Sequence, residues 1–216
     1  MSLKSQTDIL STRLIVLKKV QYSNTSLIIS GLTYEHGHQQ FILKGVLKQN
    51  RKNFPVVDLF RELTLQYRIS NRSDLHSVSE FDLVKENDAI AKNYKQFKAA
   101  ELLSKFVLLN TVAEPVPQIY EALTIILDRL KDKQLSITQS RIAFILSILD
   151  VHGLLPDLSG DEQKEDAMLQ FLAYATDPQF ESPEYDTDQL NAIWDWLMLY
   201  CANNHIAIPP GFEQVS

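Results

Sequence analysis

The chain holds one cysteine in 216 residues, Cys201, which excludes an internal disulfide and any multi-cysteine zinc site. Cys201 closes the apolar run that begins at Trp196 and reads as a core filler. Glycine and proline are scarce, at 6 and 8 residues, which argues against a long flexible linker. No apolar run approaches the ~20 residues that a membrane-crossing helix needs. The opening residues, MSLKSQTDIL, lack the apolar stretch of a signal peptide. The expectation is a soluble cytoplasmic protein with no membrane contact. Chemical motifs are missing as well: there is no phosphate-cradling glycine loop and no HExxH, CxxC or GxSxG pattern. Nothing in the sequence points to an enzyme, and neither a cofactor nor a metal is expected.

Base is the other scarcity, and it is local. Residues 151–216 carry only Lys164 against 12 acids, a balance of −11. Residues 1–80 carry 11 Lys and Arg against 6 acids, a balance of +5, and residues 81–150 carry 9 of each. The overall −6 therefore hides a basic front and an acidic tail. Two readings stand: the front meets a polyanion, or the charges only keep the chain in solution.

With 45% apolar residues the chain can build a core, and its length suits one large domain or two small ones. Residues 1–84 read as strands: Leu14 to Val20, Ser26 to Thr33, Gln39 to Leu47 and Leu75 to Leu83, with a fourth run between the last two. In that run Leu63, Leu65, Tyr67 and Ile69 alternate with Thr64, Gln66 and Arg68, a period of two with one buried face. Gly37 supplies a turn and Gly45 interrupts the third strand, where a bulge is expected. Five short strands in this space predict a small closed barrel of the OB type.

From Asp88 the period becomes helical, so residues 85–216 read as an α-helical domain and the fold class as α+β. Ile90, Tyr94, Phe97, Leu103 and Val107 suit one face of a helix ending near Asn110. After Pro115 and Pro117, the residues Ile119, Leu123, Ile126, Leu127 and Leu130 form a second stripe. Ser136 with Gln139, Ser159 with Glu162 and Asp186 with Gln189 read as capping boxes for three more helices. The helix after Ser136 is apolar nearly all round and is expected at the centre of the domain, with Gly153 as its stop. In the last helix Leu190, Ile193, Trp194, Leu197, Met198 and Cys201 face inward.

Most titratable clusters have structural readings. Asp161, Glu162, Glu165 and Asp166 fall in the first turn of a helix, where negative charge suits the dipole. Glu35, His36 and His38 flank Gly37, either as a polar hairpin tip or as a partial metal site. The basic positions carry more chemistry: Lys18 and Lys19 with Tyr22 close by, Lys44, Lys48, Arg51 and Lys52 along and beyond the third strand, and Arg68 and Arg72 around the end of the fourth. Cations offset phosphate charge while a ring stacks on a base, so these residues are the candidate nucleic-acid site. The alternative is a merely solvated sheet face.

The order of these features resembles a known family. Leu17 to Thr33 (LKKVQYSNTSLIISGLT), then YEHG, then LKGVLKQNRKN, resembles the N-terminal domain of bacterial RecO, the recombination mediator and DNA-annealing protein. The likeness continues through LTLQYRISNRSDLHSVSEFDLV and returns at RIAFILSILDVHGLLPDLS, a buried helix with its glycine stop and Pro-x-Leu segment. It spans most of residues 12–160. Many relatives place a four-cysteine zinc site after the Pro-x-Leu segment; here that stretch is Ser159 to Asp166 without cysteine, so zinc is not expected. The C-terminal NNHIAIPPGFEQ also lacks the bases that the family tends to keep there. The resemblance implies binding of single- and double-stranded DNA, strand annealing and recombinase loading, without covalent catalysis. It also implies a RecR-type ring protein and single-stranded-DNA-binding protein as partners, and a nucleoid-associated location. The alternative is a RecO-like interaction adaptor with weak or no DNA binding.

Overall fold

The computed structural model describes residues 9–47, 56–70, 73–131 and 136–212. Its contacts divide the chain into two compact units. One takes in the chain through Glu86 together with Thr111–Pro115; the other takes in Asn87–Asn110 and the chain from Val116.

The first unit is the expected five-stranded barrel. Its strands are β1 (Ile9–Gln21), β2 (Leu27–Thr33), β3 (Gly37–Leu43), β4 (Glu62–Arg68) and β5 (Leu75–Lys85), closed in the order β1-β2-β3-β5-β4. All pairings are antiparallel except β3 with β5. β1 is long enough to serve two neighbours: residues 9–15 pair with β4 and residues 14–21 with β2. The period-two run behaves as expected at Leu63, Leu65 and Tyr67, which fill the interior with Leu14, Val16, Ile29 and Phe41. Ile69 leaves the pattern, because β4 ends at Arg68 and Ile69 is exposed.

The bulge falls in a different strand from the one expected. β3 stops at Leu43, and Gly45 lies beyond it in a turn with φ +68°. Register shifts fall in the β4–β5 pairing, between Glu62 and Leu63 and between Gln66 and Tyr67, and in β1, between Val16 and Lys18. There the Val16 amide donates to the Arg61 carbonyl at 3.0 Å, and the Phe60 amide donates to the Val16 carbonyl at 2.7 Å. Opposite the bulge, a Cβ on Gly31 would come within 2.1 Å of the Ile15 carbonyl oxygen, so glycine permits the close strand approach.

The second unit comprises a short 3-10 turn (Ile90–Lys92) and helices α1 (Tyr94–Asn110), α2 (Pro117–Lys131), α3 (Ile137–Val151), α4 (Glu162–Thr176) and α5 (Thr187–Asn203). The first helix begins later than its apolar stripe predicts. Asn93 is extended, and its side chain accepts from the Lys95 and Gln96 amides, so it caps a helix that starts at Tyr94. Tyr94 is consequently exposed. Pro117 opens α2, where its missing N–H costs nothing. α3 is buried from Gln139 to Leu149 and touches the other four helices, as its all-round apolar character requires. Gly153, at φ +65°, ends it: the Leu154 amide reaches back to the Leu149 carbonyl at 2.7 Å. The capping box at Asp186 and Gln189 is complete. That at Ser136 is half formed, since the Gln139 side chain bonds Pro183 and Ser182 instead. For α4 the cap is Asp161, which accepts from the Lys164 amide, and not Ser159.

Candidate nucleic-acid interface

The outward faces of β1, β2 and β3 form one surface by register. Val20 lies beside Ile28, and Ile28 beside Ile42. Cross-strand neighbours share a face, so these three make an apolar row on the outside of the barrel. Val20 is half exposed, and Ile28 and Ile42 are partly exposed. Two residues back along β1 is Lys18, beside Ser30, which pairs with Gln40. Two residues on from Val20 is Tyr22, at 64% exposure the most accessible aromatic among the described residues of the barrel. Two residues on from Ile42 is Lys44, also exposed. The Leu47 amide donates to the Thr25 carbonyl at 3.1 Å, which ties the Lys44–Leu47 turn to the β1–β2 loop that follows Tyr22. Lys18 borders this strip of partly exposed apolar side chains, and Tyr22 and Lys44 directly follow the ends of β1 and β3 that carry it.

The row continues around the barrel. Ile42 lies beside Ser77, and Ser77 beside Arg68, which is exposed at the end of β4. Among the described residues Lys18, Lys44 and Arg68 make no ion pair. Beyond Arg68 the charge changes sign. Glu80 and Asp82 stand opposite Gln66 and Thr64 on the outer face of β4 and β5, and both acids are exposed. Among the described residues the outer face is thus cationic and apolar from Lys18 round to Arg68, and acidic farther along β4–β5 at Glu80 and Asp82.

Lys19 has a different environment from Lys18. It pairs with the inward residue Ile29, and its Nζ lies 2.5 Å from Asp58 Oδ1. Asp58 also accepts from the Leu59 amide at 2.7 Å, so this lysine holds the turn before β4. Lys48, Arg51, Lys52 and Arg72 lie outside the described residues. The apolar row itself was missed in the sequence, because β2 reads LIISGLT and is apolar on both faces. The Lys19–Asp58 pair spans 39 residues and left no local trace.

The histidines of the β2–β3 turn do not assemble a metal site: among the described residues no group of three or more His, Cys, Asp and Glu could hold an ion. His38 is partly buried, which pushes its pKa below the ordinary value, and its backbone amide donates to the Val112 carbonyl. His36 and His76 instead pack with Tyr67 at one end of the barrel, at ring distances of 6.5 and 5.6 Å.

Two loops frame the candidate face: β1–β2, carrying Tyr22, and β4–β5, which follows Arg68. In barrels of this connectivity the outer face of strands 2 and 3, between those two loops, is the surface that holds oligonucleotides. Residues 8–87 match the family model described as "Recombination protein O N terminal". The barrel is similar to the N-terminal domain of RecO proteins. No curated protein matches the chain. The sequence resemblance is thus borne out over the barrel, together with its OB fold. The match supports a RecO-type role in recombination and repair in general. No described helix is long and apolar enough to cross a membrane.

Proposed function

We propose that the outer face of β1–β3 binds single-stranded DNA and promotes annealing of complementary strands. The observation that carries this is the partly exposed Val20–Ile28–Ile42 row with Lys18 on its face and the exposed Tyr22 and Lys44 just beyond the strand ends that form it. Cations release counterions from phosphates, and an exposed ring over an apolar floor gives unstacked bases a surface. Binding through phosphates leaves base edges free for a second strand, and charge neutralisation lowers the repulsion between strands. Duplex DNA binds the same cations through its backbone. Loading of recombinase with a RecR-type ring protein, and action on strands coated by single-stranded-DNA-binding protein, belong to the same proposal and rest on the family match.

The test is a salt titration of single-strand binding. With about 4–6 phosphates contacted, log K falls against log salt with a slope of about −3 to −4. Replacing Lys44, Lys48, Arg51 and Lys52 together by Glu abolishes binding and annealing. Undiminished binding in a folded quadruple variant moves the site off this face. Absence of binding by the unaltered protein at low salt leaves the interaction adaptor, which the acidic β4–β5 surface and the acidic tail favour.

A further inference from the structure

The helical unit carries an apolar pocket for which DNA binding has no use. It opens among α3, α4 and α5, measures about 120 Å3 and is lined by Leu146, Ala167, Met168, Phe171, Ile193 and Trp196. The helical repeat explains it. Residues 164, 167, 168 and 171 share one face of α4, and 192, 193 and 196 share one face of α5. Both faces border a gap floored by Leu146 of α3. The cavity is well below the ~300–1,000 Å3 of a cofactor or drug-sized site, and suits a single inserted side chain.

The surroundings select the sign of the occupant. Asp188 and Asp195 stand four residues before and three after the exposed lining residue Ala192, on the same stripe of α5. Glu165 stands three before Met168 on α4. All three acids are exposed. The one base at the pocket, Lys164, is held 2.6 Å from Asp161, so its charge is already answered. An apolar anchor arriving with acidic neighbours meets repulsion here, and one arriving with Lys or Arg meets attraction.

We propose that this pocket docks a basic protein segment, which inserts one large apolar side chain and sets Lys or Arg residues against Glu165, Asp188 and Asp195. The proposal stands apart from the DNA reading, since it uses no residue of the barrel.

The probe is a short fluorescein-labelled peptide with a Phe-Leu centre flanked by Lys and Arg. It is titrated into the full-length protein, with anisotropy and the Trp196 indole NMR signal as readouts. Two control peptides carry Glu and Asp flanks, or an Ala-Ala centre. The expected result is saturable binding of the basic peptide, a shifted Trp196 indole and at least about tenfold weaker binding of both controls. Ala192→Arg crowds and charges the rim at an exposed position, so it weakens the basic peptide about tenfold while the melting temperature and DNA affinity stay level. Asp188→Asn with Asp195→Asn weakens it several-fold, and the loss shrinks as salt rises. Equal binding of the acid-flanked or Ala-Ala peptide, an unmoved Trp196 signal, or indifference to Ala192→Arg overturns the proposal. So does a dimer in sedimentation that Ala192→Arg dissociates, because the occupant is then a second copy of the chain.

Discussion

A methyl group on Gly37 would stand 2.1 Å from the Glu114 carbonyl oxygen and 2.3 Å from that of Val112, at a φ of +63° that favours glycine. The atoms it would meet are backbone, so they cannot move aside as a flexible side chain does. Gly37→Ala is expected to cost about 2 kcal/mol or more, read as a shift of the urea midpoint. His76 gives a second prediction at this scale. Its Nδ1 accepts from the Ser70 amide at 3.3 Å, which leaves Nε2 to donate to Gln39 Oε1 at 2.9 Å. The ring is therefore held neutral. Burial lowers its pKa; nearby Asp74 pulls the other way, and His36 adds to the lowering. A base whose folded pKa is depressed leaves the folded state with fewer protons than the unfolded one. Its stabilising contribution is complete above the ordinary value of 6.5 and is lost as pH falls through the folded value. Urea midpoints are thus expected to fall between pH 7 and more acid solution. His76→Gln is expected to flatten that dependence while lowering stability at pH 7, where the Ser70 bond is gone. A wild-type midpoint that stays level or rises on acidification contradicts this account.

At the scale of elements, the outer face of β1–β3 makes separable predictions for its members. Tyr22→Ala is expected to cost about 1–3 kcal/mol of single-strand affinity with no loss of fold, since the ring is exposed. Lys18→Gln and Lys44→Gln are each expected to lower the steepness of the salt dependence by about 0.7. Lys19→Gln is expected to leave the slope alone and to cost at most about 1 kcal/mol of stability, because its partner is Asp58. Equal slope changes for Lys18 and Lys19 refute this division. The distinction marks what the sequence makes legible. Period two at Leu63, Leu65 and Tyr67, and the helical stripes after Asp88, are local signals, and they gave the barrel, the helices and their order. The capping pair Asp186 and Gln189 is local too. Missed were features made by pairing between distant residues. These are the bulge in β1 opposite Gly31, the alignment of Val20, Ile28 and Ile42, and the acidic strip where Glu80 and Asp82 meet β4. Strand register decides each of them, and register is a property of two strands at once. The start of α1 is hidden from the sequence for another reason. Asn93 competes for the backbone amides of the first turn, and an apolar stripe cannot reveal that competition.

At the scale of the molecule the charge is divided along the chain. The stretch from Val151 holds 12 acids against Lys164 alone, and Lys164 is paired with Asp161. A polyanion gains nothing from contact with such a surface, so the acids act on DNA only through their field. That field alters the strength of binding but not the number of cations that displace counterions. Replacing Asp161, Glu162, Glu165 and Asp166 by Asn or Gln is therefore expected to raise DNA affinity or leave it level, with the salt slope unchanged at about −3 to −4. Both quantities come from one titration series against ionic strength. Neutralising the acids also removes the partner of Lys164, and a freed lysine that touched phosphate would steepen the slope by about 0.7. A marked fall in affinity in the folded variant would place these carboxylates within the DNA site, and a steeper slope would place Lys164 there. An unchanged slope with equal or higher affinity leaves phosphate contact to the cations of the barrel.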